Sequence, residues 1–153
     1  MAATVSRRAK IILVVTVAVT AALDWATKTI ALSVLRERTI ELGPLALRLG
    51  RNSGVAFGMG DWLPSPVLLA VTATVMVVFA VAAVRGGIGP PLAAGLVLGG
   101  GVANLVDRAV GGSVVDFLDV GWWPTFNLAD VFLSAGCVLL IVESLRATPT
   151  TDT

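Results

Sequence analysis

"PVLLAVTATVMVVFAVAAV", residues 66–84, and "PPLAAGLVLGGGVANLV", residues 90–106, stand either side of the short stretch "RGGIG" and end against Arg85 and the pair Asp107-Arg108. A helix needs roughly 20 mostly apolar residues to cross about 30 Å of hydrocarbon. Two such segments joined by a linker rich in Gly and Pro can only turn and run back, so they form an antiparallel pair of membrane helices.

The rest of the chain has the same character. Over 153 residues it is 56% apolar and only 14% charged, with a mean hydropathy of +0.91, against about 25% charged in soluble domains. Two more segments qualify, the one beginning "SRRAKIILVVTVAV" and the one beginning "FNLADVFLSAGCVLLIV". The first could be cleaved as a signal peptide, but its apolar run outlasts a usual signal core and three more spans follow, so a retained helix is expected. The expected spans are about 11–31, 66–84, 90–107 and 126–145, with loops 32–65 and 108–125, all in a single domain. "LALRLGRNSGVAFG" in the first loop alternates and turns, which predicts a small extramembrane β element. The fold class is therefore membrane all-α with four transmembrane helices plus a β-rich loop. The tail after about 145, rich in Thr, is expected to be disordered.

Four spans put both termini on one side. Arg7, Arg8, Lys10, Arg85 and Arg146 lie at that side, and Arg36, Arg38, Arg48, Arg51 and Arg108 at the other. The counts tie, but the cluster before the first span is the denser, which predicts cytoplasmic termini.

The chain has no histidine, which excludes a Ser-His-Asp triad and a histidine-based zinc site. A net charge of +1 without a basic stripe offers nothing to nucleic acid. Cys137, alone in an apolar run, reads as helix packing. With the topology above, the remaining polar residues gather at one membrane face. Asp24 and Lys28, four apart on a helix, can pair and close the end of the first span. Asn52 can cap its turn or meet a peptide backbone. Arg108 can pair with a carboxylate other than its neighbour Asp107. The Gly runs 99–101 and 111–112 read as close helix contact and turn.

Asp116 in "VVDFL" and Asp130 in "FNLAD" are costly to ionise in such apolar settings. A structural cap or pair would explain each separately. As a pair they can share a proton, one carboxylate taking a proton from water while the other donates to a carbonyl oxygen. From the residues alone, three readings stand: a peptidase, a small proton- or ion-coupled transporter subunit using intramembrane carboxylates, and a scaffold built on Gly-rich helices. Asp119 reads as a solvated loop carboxylate.

"DWATK", "RNSGVAFG", "GGGVANLVDRAVGGSVVDFLDV" and "FNLADVF" together resemble, in order and spacing, the lipoprotein signal peptidases (signal peptidase II), bacterial membrane aspartic proteases. The resemblance runs from about Lys10 to Leu145. It implies catalytic Asp116 and Asp130, with Asn52, Gly54, Asn104, Arg108 and Asn127 lining or bracing the site and Asp24 and Lys28 supporting the architecture. It also implies a prolipoprotein substrate, cut just before a diacylglyceryl-modified cysteine at the outer face of the cytoplasmic membrane, in contact with membrane lipid. No metal or other cofactor is implied, and nothing points to an obligatory protein partner.

Overall fold

The computed structural model describes residues 5–53 and 64–147. Its elements are α1 (Arg7–Val34), β1 (Ile40–Glu41), β2 (Ala46–Asn52), α2 (Ser65–Val84), α3 (Pro91–Gly111), β3 (Val114–Asp119) and α4 (Leu128–Ala147). All four helices are long and apolar enough to cross a membrane. The protein is thus a multi-pass membrane protein with a small three-stranded sheet. Residues 54–58 of "RNSGVAFG", Asp61 and the tail from residue 148 lie outside the described residues.

Local chemistry sets the helix limits. The Ser6 hydroxyl caps α1 by accepting from the Ala9 amide at 3.1 Å, which carries the helix out over the basic cluster. Proline stands in the first turn of α2 and of α3, where its missing N–H leaves no hydrogen bond unmade. α3 stops at Gly112, in the left-handed region at φ 70°, a conformation that glycine adopts without strain. Arg108 therefore lies within α3 rather than in the loop after it.

α3 is the central helix and packs against the other three. Between membrane helices close approach of backbones replaces the hydrophobic effect as the source of cohesion, and small residues permit it. Gly95 and Gly99, four apart on α3, lie directly against Thr16 and Thr20 of α1, while Gly100 lies against the Ala129 carbonyl and Leu133 of α4. The Gly runs are thus helix contacts in one case and a helix stop in the other.

The polarity of the bundle is inverted. Val14, Val15, Val77, Val78, Val138 and Ile141 point outward, whereas Thr20, Asp24, Lys28, Asn104, Asp116 and Asn127 are buried. At the end of the bundle away from the sheet the buried residues Leu13, Ala83, Ala94 and Leu98 are apolar.

The sheet has the order β1-β2-β3, antiparallel throughout. Its third strand comes from the second loop, so "VVDFLD" is not an irregular connection but a strand paired with β2, Gly50 facing Asp116 and Asn52 facing Val114. Beyond β3 the chain turns back on itself, and Leu118 and Phe126 bridge through amide-to-carbonyl bonds in both directions, 2.8 and 3.0 Å. That closure brings the start of α4 up beside β3. Ala31, Leu35 and Phe117 pack beneath the sheet and fix it to the end of α1.

Candidate active site

Asn127 immediately precedes α4, and Asp130 is the third residue within it. The Asn127 side-chain oxygen accepts from the Asp130 amide at 3.0 Å, and Asp130 Oδ2 accepts from the Asn127 amide at 3.1 Å. This reciprocal capping box satisfies two helix-terminal N–H groups and leaves the Asp130 carboxylate with little freedom to turn. Its other oxygen, Oδ1, accepts from Asn104 Nδ2 at 2.8 Å.

The same Asn127 reaches the other carboxylate. Its Nδ2 donates to Asp116 Oδ1 at 2.7 Å and to Asn104 Oδ1 at 3.2 Å. One fully buried asparagine therefore holds Asp116 of β3 and Asp130 of α4 side by side. Asn52 of β2 also hydrogen-bonds the Asp116 side chain. Burial is the main cause that pushes Asp116 up to about 6; the Asn127 bond opposes the rise and the charge of Asp130 adds to it. Such a carboxyl can hold a proton near neutral pH, as a donor to a carbonyl oxygen must.

Behind the pair lies a buried charge network. Lys28 Nζ contacts Asp24 Oδ2 at 2.6 Å and Asp107 Oδ2 at 2.7 Å, and donates to Asn104 Oδ1 at 3.0 Å. Asn104 can present its amide nitrogen to Asp130 only because its oxygen is held by Lys28 and Asn127. Asp24 has a second role: its Oδ1 accepts from the Ala129 amide at 2.8 Å, tying α1 to the first turn of α4. A buried ammonium is tolerable when carboxylates and an amide oxygen surround it.

The structure brings Asp24, Lys28, Asn52, Asn104, Arg108, Asp116, Asn127 and Asp130 to one end of the bundle; Gly54 lies outside the described residues. Asn52, Asn104, Arg108, Asp116 and Asp130 line a cavity of about 340 Å³. The guanidinium of Arg108 faces Asp130, Asp116 and Asp107 electrostatically. Asp119 needs correcting: it is not a solvated loop carboxylate but the end of β3, paired with Arg48 at 2.6 Å and accepting from the Gly121 amide at 2.8 Å. It does not line the cavity: it stands at the end of β3 opposite Ala46, where Arg48 holds it. Sequence reasoning put Asp107 at this membrane face but gave it no part in the site, where it holds Lys28. The signal was available: Asn104, Asp107 and Arg108 at i, i+3 and i+4 share one face of a helix.

The family model described as Signal peptidase (SPase) II matches residues 16–146. A lipoprotein signal peptidase of Rhodococcus jostii is 36% identical over 150 residues, 92% of this chain and 76% of its own. One from Mycobacterium avium is 39% identical over 150 residues, 91% of this chain and 81% of its own. A solved bacterial membrane enzyme superposes with a TM-score of 0.81 at 24% identity, over 92% of this chain and 91% of that one. A second does so with 0.75 at 25% identity, over 89% and 94%.

Proposed function

The chain belongs to the signal peptidase II family, aspartic proteases that remove signal peptides from prolipoproteins, and on that premise we propose that Asp116 and Asp130 are its catalytic dyad. The observation that carries this assignment is the single side chain of Asn127 bonded to both the residue on β3 and, through its capping box, the one on α4. Both oxygens of Asp130 already accept N–H bonds, so Asp130 serves as the base that takes a proton from the attacking water. Asp116 carries the shared proton and gives it to the carbonyl oxygen of the scissile bond. When the tetrahedral species collapses, Asp130 returns its proton to the departing amine, which is that of the lipid-bearing cysteine, and Asp116 recovers its own. Asn52 and Arg108 line the same cavity and offer donors to the peptide backbone.

The cut falls before a diacylglyceryl-cysteine, and the site faces the outside of the cytoplasmic membrane. The lipid anchor and the signal helix then hold the scissile bond in the interface beside the dyad. A transport path is not favoured, because the buried positions at the opposite end, Leu13, Ala83, Ala94 and Leu98, would offer an ion or proton no polar partner.

Purified protein incubated with lipidated and unlipidated prolipoprotein should cut the lipidated form far faster. Asp116→Asn and Asp130→Asn should each reduce cleavage at least about 10³-fold, with the double variant little worse, since residues acting as a unit are non-additive. Asp119→Asn should still cut, with at most about 1 kcal/mol of stability lost from its ion pair with exposed Arg48. Normal cleavage by either dyad variant would sink the assignment.

A further inference from the structure

Asp130 is the boundary between two concavities of opposite character. On one side is the polar cavity with Asn52, Asn104 and Arg108. On the other is a groove of about 380 Å³ formed by Val120, Trp122, Trp123, Phe126, Val131 and Ser134, whose single charged lining residue is Asp130. Trp123, Phe126 and Ser134 line both, so the two are continuous across the dyad.

The groove has an exposed aromatic wall. Trp122 is 82% exposed and Trp123 43%, and they meet edge to face with ring centroids 5.4 Å apart. Amphipathic rings of this kind settle at the level of lipid headgroups. Its floor does not end at Ser134. Val131, Val138 and Leu145, spaced by seven, continue down the same face of α4, all exposed. They extend over about 21 Å of helix, more than one leaflet's half of the hydrocarbon.

Resting on the proposed cleavage beside a lipidated cysteine, we infer that this groove seats the two acyl chains of the substrate's cysteine, and that the polar cavity seats the peptide backbone. The lipid is attached to the residue that forms one half of the scissile bond, so it must leave the dyad within a residue's length. A peptide backbone needs donors and acceptors, which the Asn52, Asn104 and Arg108 side supplies. The acyl chains need an apolar route from Asp130 into the bilayer, and the tryptophan groove together with the α4 stripe is continuous with the catalytic cavity.

The test is kcat/KM on a prolipoprotein peptide whose cysteine carries dipalmitoylglyceryl or dibutyrylglyceryl. The unaltered protein should favour the palmitoyl substrate. Val131→Trp, which fills the groove from the helix side, and Trp122→Ala, which removes its outer wall, should each lower the palmitoyl-to-butyryl ratio about tenfold. The change should lie in KM more than in kcat, because the contact is made equally in ground and transition states. Should Val131→Trp cut neither substrate, Trp122→Ala decides, since its exposed ring is not needed for packing. Crosslinking gives a reading independent of turnover: in the Asp116→Asn protein, a palmitoyl chain ending in a diazirine should label the segment from Val120 to Ser134 and the stripe below it. An unchanged ratio in both variants, or label spread evenly over α1 and α2, would mean that the chains stay in the bulk bilayer and would overturn the assignment of the groove alone. An unaltered protein that cuts neither substrate would overturn the peptidase reading, and this inference with it.

Discussion

Asp116 is held at 2% exposure on a short strand and its carboxyl is pushed up from 3.8 to about 6, first by burial. A carboxyl that binds its proton more tightly folded than unfolded contributes most below pH 3.8, and that contribution is lost as pH rises through about 6. Above that range ionised Asp116 costs at most about 3 kcal/mol, at 1.36 kcal/mol per unit. Asp116→Asn should therefore raise the thermal midpoint near pH 7.5, and the gain should shrink towards pH 4. A midpoint gain equal at both pH values would show that the carboxyl is not held in this way. Asp116 and Asp130 drew attention because each stood in an apolar setting with no histidine to share the chemistry, but the residues alone left a structural cap or pair open, and the proposed dyad came from the resemblance. Asp107 was given no part in the site, because its neighbour Arg108 drew attention to sequence adjacency, while its partner Lys28 lies on another helix. The second function of Asp24, holding the Ala129 amide, is a contact across 105 positions that no local pattern encodes.

The elements that hold these residues were legible to different degrees. Helices announce themselves through long apolar runs, whereas β3 is six residues long and exists only because β2 and Phe126 offer it partners. A short apolar stretch carrying one acid has no periodicity by which to distinguish strand from loop. Register between α3 and α4 was equally hidden, although the glycines that permit it were in view. A methyl group at Gly100 would run into the Ala129 carbonyl and press on Leu133. Ala129 directly precedes Asp130 and binds Asp24, so a shift of α4 there moves the dyad. Gly100→Ala should cost about 1–3 kcal/mol by overpacking and reduce cleavage by about 10²-fold, since a displacement of about 1 Å can do so. Gly111→Ala, with nothing within 4 Å, should leave both unchanged. Unimpaired cleavage by Gly100→Ala would show that the dyad does not depend on this helix contact.

At the scale of the whole molecule, the inverted polarity that composition announced is what sets the orientation question. The basic counts tie, but the structure makes the two sets unequal in kind. Arg7, Arg8, Lys10, Arg85 and Arg146 stand at helix ends away from the sheet, and all but Arg85 lie within helices. At the other end Arg48 is paired with Asp119, and Arg108 faces the carboxylates of the cavity. Arg146 is likewise paired with Glu143, so it is the dense cluster of Arg7, Arg8 and Lys10 before the first span that supports the proposed cytoplasmic ends and outward-facing site. In a Cys137→Ser background, a cysteine at Arg48 or Gly111 should react with an impermeant thiol reagent added to intact cells, while one at Gly87 should react only after the membrane is opened. Gly111 and Gly87 suit the purpose because a Cβ at the first meets nothing within 4 Å and at the second only the Ala82 carbonyl at 3.5 Å. Labelling at Gly87 with none at Arg48 or Gly111 would reverse the orientation, placing the dyad on the cytoplasmic side, where a lipid-bearing cysteine carried outward by its signal helix could not reach it.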